Sequence, residues 1–290
     1  STWDGFHPRH YSLLTETQAE IVIRFYRLME RVGVTPRQCR AIFGKMIPKH
    51  KTGVEKVSLR CIGLLPSLYR HWRRLRQTEA REWESRNKSP LLGHQGGRSI
   101  METTFIQALR GESAAASGRH SGAFLWDLAN FYEYVDHEVL WERARAKGFP
   151  LAILAVALNQ ARAKRYLGLG DVAVDARFPR RGLAAGDGFA TTLVQIYSLE
   201  PLERWSVRNP EVPLTLFIDD FLVSSSADSE HQVVGRLTVA AAATPPAAAE
   251  VQPHAVGERD AQLAHRGDVY LRKHASRLPC ERLIIRSDRR

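Results

Sequence analysis

Cysteine is scarce in this chain. Its 290 residues hold three, Cys39, Cys61 and Cys280, far apart and without a CxxC pair. That spacing excludes a disulfide framework and a cysteine-rich zinc site, and it fits a reducing, intracellular compartment. Long hydrophobic runs are also missing. The longest aliphatic stretch, Leu151 to Leu158, falls far short of the ~18 residues of a spanning helix, which excludes membrane insertion. Acidic residues are outnumbered: 31 Asp and Glu face 42 Lys and Arg, leaving a formal charge of +11. Such an excess points to an anionic partner, nucleic acid or an anionic membrane surface. The chain opens STWDGFHPRH, with neither Met nor an apolar leader, as a piece of a longer reading frame would. His7 and His10 stand three apart with no further ligands beside them and read as surface histidines.

What is present describes a folded protein. With 44% hydrophobic and 25% charged residues, the chain has the composition of one large or two smaller globular domains with a real core. The basic charge is concentrated: Lys45 to Lys88 carries 12 Lys and Arg against 4 Glu. Within it Leu65, Leu68, Trp72 and Leu75 recur at helical spacing, with Arg70, Arg73, Arg74 and Arg76 largely between them. Such arginines form either a solvated helix face or a phosphate-facing surface, and their concentration favours the second.

Periodicity predicts a helix over Ser12 to Val32, with Leu14, Ile21, Phe25 and Leu28 buried and Gly33 as its stop. A second runs from Ile100 to Leu109, ended by Gly111 and a polar loop to Gly122. Ala123 to Asp127 reads as a buried strand, Glu138 to Lys147 and Pro150 to Lys164 as helices. Tyr166 to Phe178 alternates like a strand, and Asp187 to Trp205 returns to helical spacing. Pro213 to Ser224 is a hairpin with Asp219 and Asp220 at its tip. Val239 to Ala249 is Ala-rich, broken by Pro245 and Pro246, and supports no structural assignment.

Carboxylates at strand ends are costly to desolvate unless a cation compensates them. Asp127 and the pair Asp219–Asp220, at the ends of neighbouring strands, would make an all-oxygen site suited to Mg²⁺; a polar turn is the plainer reading of the pair. The surroundings decide between them. Asp127-Leu-Ala-Asn-Phe-Tyr-Glu-Tyr-Val-Asp-His137 resembles the first palm motif of reverse transcriptases, especially those of group II introns and non-LTR retrotransposons. Phe217-Ile-Asp-Asp220 resembles their F/Y-x-D-D motif, and Arg181-Gly-Leu-Ala-Ala-Gly-Asp-Gly188 their glycine-containing turn before a helix. Arg60-Cys-Ile-Gly-Leu-Leu-Pro is similar to their finger segment R-P-I. The four stand in the family's order.

The resemblance implies an α+β fold of fingers and palm, an antiparallel palm sheet backed by helices, and no convincing thumb. It places basic fingers at 1–122, a palm at 123–235, and a degenerate palm end with a basic tail at 236–290. It implies RNA-directed DNA synthesis from dNTPs on an RNA template and DNA primer, with two Mg²⁺ ions, or Mn²⁺ in their place, and no membrane. Asp127 and Asp219 would be metal ligands, the Leu128 carbonyl a further oxygen, and Asp220 the adjoining carboxylate. Tyr132 would be the ring that excludes a 2′-hydroxyl; a core tyrosine is its plainer reading. Arg60, with Lys49 or Lys56, would grip the triphosphate, while Gly182 and Gly186 allow a tight turn beside the nucleotide. Arg70, Arg73, Arg74 and Arg76 would face nucleic acid.

The chain departs from the pattern at Cys61, where the family has Pro, and at Ala185, where many relatives have Gln. Asp187 adds a negative charge near the substrate path. In Thr244 to Val251, which resembles N-P-x-K-T-E-V, Ala248 replaces the lysine thought to protonate pyrophosphate. A decayed retroelement copy and a non-catalytic RNA-binding module are therefore the alternatives. An RNA-directed RNA polymerase fits less well, since Ile218 stands where those enzymes have Gly.

Overall fold

The computed structural model describes residues 3–48, 59–94, 99–127, 131–169, 172–174, 178–218, 220–251, 267–272 and 282–283. In chain order they form α1 (Glu16–Val32), β1 (Ala41–Pro48), β2 (Leu59–Leu64), α2 (Ser67–Leu75), α3 (Gln77–Arg86) and α4 (Ile100–Ala116). Then follow β3 (His120–Asp127), α5 (Phe131–Tyr134), α6 (His137–Ala146), α7 (Leu151–Ala161), β4 (Lys164–Leu169), β5 (Val172–Val174) and α8 (Ala190–Arg208). The chain continues through β6 (Leu214–Phe217), β7 (Asp220–Ala227), α9 (Glu230–Val251), β8 (Gly267–Arg272) and β9 (Arg282–Leu283). The fold is mixed α+β. No helix among the described residues is long and apolar enough to cross a membrane. Cys39 and Cys61 are free thiols, their pKa values raised by burial; Cys280 lies outside the described residues.

The chain divides into two compact units that interleave in sequence: Ser1–Arg86 with Tyr132–Tyr197, and Asn87–Phe131 with Ser198–Arg290. Each unit draws on two separate stretches of the chain.

The first unit holds a four-stranded sheet in the order β2-β1-β4-β5. β1 and β2 pair antiparallel, with Ile47 opposite Arg60, whereas β1 and β4 run parallel. Around it α1 packs on α7, and α7 on α6. Thr15 caps α1 through the Gln18 amide, and Gly33 ends it in a left-handed conformation. The buried face of α1 is Tyr26 and Met29; Ile21, Phe25 and Leu28 are exposed, and Leu14 half-buried. The expected face was the wrong one because α1 carries two apolar stripes, and the partner decides which is covered. On α2, Leu65 before it and Trp72 are buried, but Leu75 is exposed.

The second unit is built on a five-stranded antiparallel sheet, β6-β7-β3-β8-β9. α9 packs on β7 and β3, and α4 lies against β3. Helix α4 runs through Gly111 to Ala116 rather than stopping there; a mid-helix glycine costs only about 1 kcal/mol against alanine. Accordingly β3 begins at His120, inside the expected loop. α9 spans the Ala-rich stretch for which the sequence offered no assignment. β8 extends the sheet beside β3, so the segment after 236 adds to the sheet.

Candidate active site

Strands β6 and β7 pair with Phe217 opposite Asp220, and Ile218 lies in the turn after β6. Asp220 is thus the first residue of β7, not part of the tip, and it is exposed. Strand β3 pairs with β7 along its length, and the last pair in register is Asp127 with Asp220. That register carries both aspartates to one end of the sheet. Asp219 and Leu128 lie outside the described residues, and Asp127 is placed by its backbone. Ile218 has φ +63°, a conformation that β-branched residues avoid.

The first unit gathers a second set. Gly182 and Gly186 have φ of +87° and +102°. A Cβ on Gly182 would stand 2.6 Å from the Glu133 carbonyl oxygen, and one on Gly186 would stand 2.8 Å from that of Gly63. Only glycine satisfies both the angle and the approach. The turn is pinned on both flanks: the Leu183 amide donates to the Tyr132 carbonyl at 2.7 Å, and the Gly63 amide to the Ala185 carbonyl at 2.6 Å. It follows that Tyr132, the two glycines and the strand bearing Arg60 are brought together. Tyr132 is half-buried within α5, and Arg60 is exposed on β2. Lys49 and Lys56 lie outside the described residues.

The carbonyl of Gly182 has its own donors. His137 Nε2–H donates to it at 2.9 Å and Arg165 at 3.3 Å, while His137 Nδ1 accepts from Arg162 Nε at 3.1 Å. His137 is buried, and that burial lowers its pKa; the Arg162 and Arg165 guanidiniums push the same way, against Gly182 and Asp136. The ring is therefore neutral and fixed in one tautomer.

Asp187 has its partners within the protein. Its carboxylate accepts the Tyr69 hydroxyl at 2.7 Å and the Phe189 amide at 3.1 Å. Burial raises its pKa, opposed by those two donors and by Arg73. It braces the turn from within. The four arginines of the basic helix also part company. Arg76 is engaged by Glu30 through two bonds of 2.5 and 2.9 Å and by Glu79 at 2.8 Å, which raises its pKa. Arg73 is half-buried, bonded to Gln77, with its guanidinium against Gly188. Arg70 and Arg74 are exposed. A run of arginines does not show from sequence which of them faces an internal carboxylate.

Within α8, Pro201 has no N–H to offer the Tyr197 carbonyl four residues back. Arg143 supplies the missing donor and lies over the Tyr197 ring, 4.8 Å from its centre. Sequence reasoning passed over Arg143 and Tyr69 and met His137 only as the end of a motif, because the signal of all three is buried polarity.

Residues 47–244 match the family described as reverse transcriptase (RNA-dependent DNA polymerase). The chain belongs to that family. No curated protein matches it closely enough to count as a relative. Among solved structures it is similar to apo telomerase from Candida tropicalis truncated from its C-terminal domain, at 12% identity and a TM-score of 0.51. That likeness covers 77% of this chain and 51% of the other, so the chain spans about half the length of that structure. A telomerase from Candida albicans, in complex with a fragment of telomeric RNA, matches at 12% identity and TM-score 0.47 over 70% and 40%. At this identity the likeness is one of fold. The family match takes in β2, the glycine turn and the β6–β7 hairpin together.

Proposed function

We propose that the chain is the RNA-directed DNA polymerase core of a retroelement, adding dNTPs to a primer 3′-hydroxyl by nucleotidyl transfer. The observation that carries this is the register that sets Asp127 opposite Asp220, one residue beyond position 219, in a member of this family. No group of three or more His, Cys, Asp or Glu that could hold a metal occurs among the described residues; Asp219 and the Asp127 side chain are not among them. The donor set still suits the ion, because aspartates and a main-chain carbonyl are hard oxygen ligands of the kind Mg²⁺ prefers. Asp127, Asp219 and the Leu128 carbonyl would hold it, with Asp220 completing the negative site. Bound there, two ions would activate the primer hydroxyl and stabilise the departing pyrophosphate.

The other residues act by position. Tyr132, held through its carbonyl at the glycine turn, is suited to crowd a 2′-hydroxyl and so select deoxynucleotides. Arg60 projects from an exposed strand position suited to a triphosphate, as a planar guanidinium matches phosphate oxygens. Arg70 and Arg74 are the two arginines of the basic helix left for nucleic-acid phosphates.

One feature supports a second reading, a decayed copy. Position 248 of α9 is alanine, and no Lys or Arg lies between Val239 and Glu258. Primer extension with Mg²⁺ tests both. The polymerase reading expects extension with dNTPs over rNTPs, abolished by Asp127→Asn, and faster by about tenfold or more in Ala248→Lys, since a positioned acid contributes roughly 10²–10⁴-fold. RNA binding without any extension, in the parent and in Ala248→Lys alike, would establish the non-catalytic reading.

A further inference from the structure

Strand β6 is the outer strand of its sheet. The edge it leaves is covered by residues 91–94. The Leu216 amide donates to the Leu91 carbonyl at 2.7 Å, and the Gly93 amide donates to the Leu216 carbonyl at 2.8 Å. Leu92 and Leu216 thus form a parallel bridge, both fully buried. The Thr103 hydroxyl on α4 donates to the Gly93 carbonyl at 3.0 Å, tying this short segment down from its other side. A segment so anchored delivers its next residue to a fixed place. That residue is His94, level with the β6–β7 turn.

There the Ile218 amide donates to His94 Nδ1 at 3.2 Å. The imidazole also stands edge-on to the Phe217 ring, with centroids 5.9 Å apart at 79°. Ile218 is the one described residue other than glycine with positive φ. Left-handed backbone at a residue with a Cβ costs roughly 1–2 kcal/mol, and such residues persist where their surroundings hold them. Here the imidazole engages the Ile218 backbone, and the Phe217 ring stands against the imidazole.

We propose that His94 is a positioning residue for cation binding. By accepting the Ile218 amide it fixes the strained backbone that precedes Asp219 in sequence and Asp220 at the start of β7. This rests on the reading of Asp127 and Asp219 as the ligands of a divalent cation. The ring accepts at Nδ1 only when neutral with its proton on Nε2. Burial supports that form by lowering its pKa, partly offset by the Leu216 carbonyl.

The test uses Mn²⁺ alone as probe, with free ion measured by its electron paramagnetic resonance signal during titration of the full chain, and primer extension run beside it. Outer-shell changes typically weaken metal binding about 10–100-fold. His94→Ala should weaken Mn²⁺ by about tenfold and lower kcat in step, with KM for primer–template unchanged. His94→Asn, which places an amide oxygen near the Nδ1 position, should recover most of the loss. Ile218→Gly in the His94→Ala background should recover part, because glycine keeps positive φ unaided. Should His94→Ala fail to fold, His94→Asn against His94→Phe reads the same contrast with a side chain of useful size in place. Parent-like Mn²⁺ affinity in His94→Ala, or equal losses in the Asn and Phe variants, would overturn the proposal. Asp219→Asn separates the two layers. If it weakens Mn²⁺ binding and His94→Ala does not, the His94 inference fails alone; if it leaves binding unchanged, the carboxylate reading falls and takes His94 with it.

Discussion

The glycine turn and the β6–β7 turn both carry left-handed backbone, and they obtain it in opposite ways. In the first unit the turn from Arg181 to Gly188 uses Gly182 and Gly186, at φ +87° and +102°. In the second, the β6–β7 turn uses Ile218 at φ +63°. The difference lies in what surrounds them. The glycines press against the Glu133 and Gly63 carbonyls, where a Cβ has no room. Ile218 is half-buried, so its side chain fits and only the backbone angle is unfavourable. Close approach demands glycine. An unfavourable angle alone can be held by neighbours, and here a histidine amide contact does so.

The largest effect should come from breaking the glycine turn. Gly182→Ala combines left-handed strain of about 1–2 kcal/mol with overpacking of about 1–3 kcal/mol. Chemical denaturation should therefore show a loss of about 2–5 kcal/mol. A loss below about 1 kcal/mol would mean that Glu133 yields easily and that the two turns differ less than their geometry says.

Next comes the internal brace. Tyr69→Phe removes a hydroxyl from a buried carboxylate and should cost about 1–3 kcal/mol. Asp187→Asn keeps an acceptor for Tyr69 and should cost clearly less at neutral pH. The sign follows from Asp187's raised pKa: its contribution to stability is complete below the usual 3.8 and is lost as pH rises through the folded value. Equal losses in the two variants would show that packing, not the hydroxyl–carboxylate bond, holds the turn.

Acid should then act on the glycine turn through His137. Its folded pKa lies below the ordinary 6.5, so the stability it contributes is present above 6.5 and is lost as pH falls toward the folded value. Melting temperature should decline between pH 7.5 and 5.5, and His137→Gln should flatten that decline. His71, lowered first by burial and then by Arg74, and His94, lowered by burial, share the direction, so a residual slope remains in the variant. An unchanged slope in His137→Gln would place the acid sensitivity elsewhere.

The smallest effect belongs to the Ile218 turn. Ile218→Gly relieves strain of roughly 1–2 kcal/mol but adds unfolded-state freedom of roughly 0.5–1 kcal/mol and removes a half-buried side chain. These nearly cancel, and the melting curve should shift by less than about 1 kcal/mol equivalent. A loss above about 2 kcal/mol would show that the Ile218 side chain, not its amide, anchors the turn.

How much of this was legible beforehand varies with the range of the interaction. The β6–β7 hairpin, strand β3, helices α6 and α8 and the order of the motifs all stand in the sequence, because alternation and helical period are local properties of neighbouring residues. The glycine turn was readable through its resemblance to the family's glycine-containing turn, and the Cβ clashes at Gly182 and Gly186 give the physical reason. Which stripe of α1 is buried was not readable. Nor was the parallel pairing of β4 with β1, or the addition of β8 beside β3. The contacts that sort the polar residues are more distant still: Arg76 finds Glu30 across 46 positions, Tyr69 finds Asp187 across 118, and His94 finds Ile218 across 124. Sequence by itself determined the hairpin, the strand β3 and the helices α6 and α8, since those follow from residue type and period, but not α9, the last turns of α4 or the place of Asp220 within β7. Only the tertiary structure decided which arginine is neutralised, which aspartate is a brace and which histidine reaches the carboxylate turn, because a polar side chain's role is set by the group it meets, and that group arrives from far along the chain.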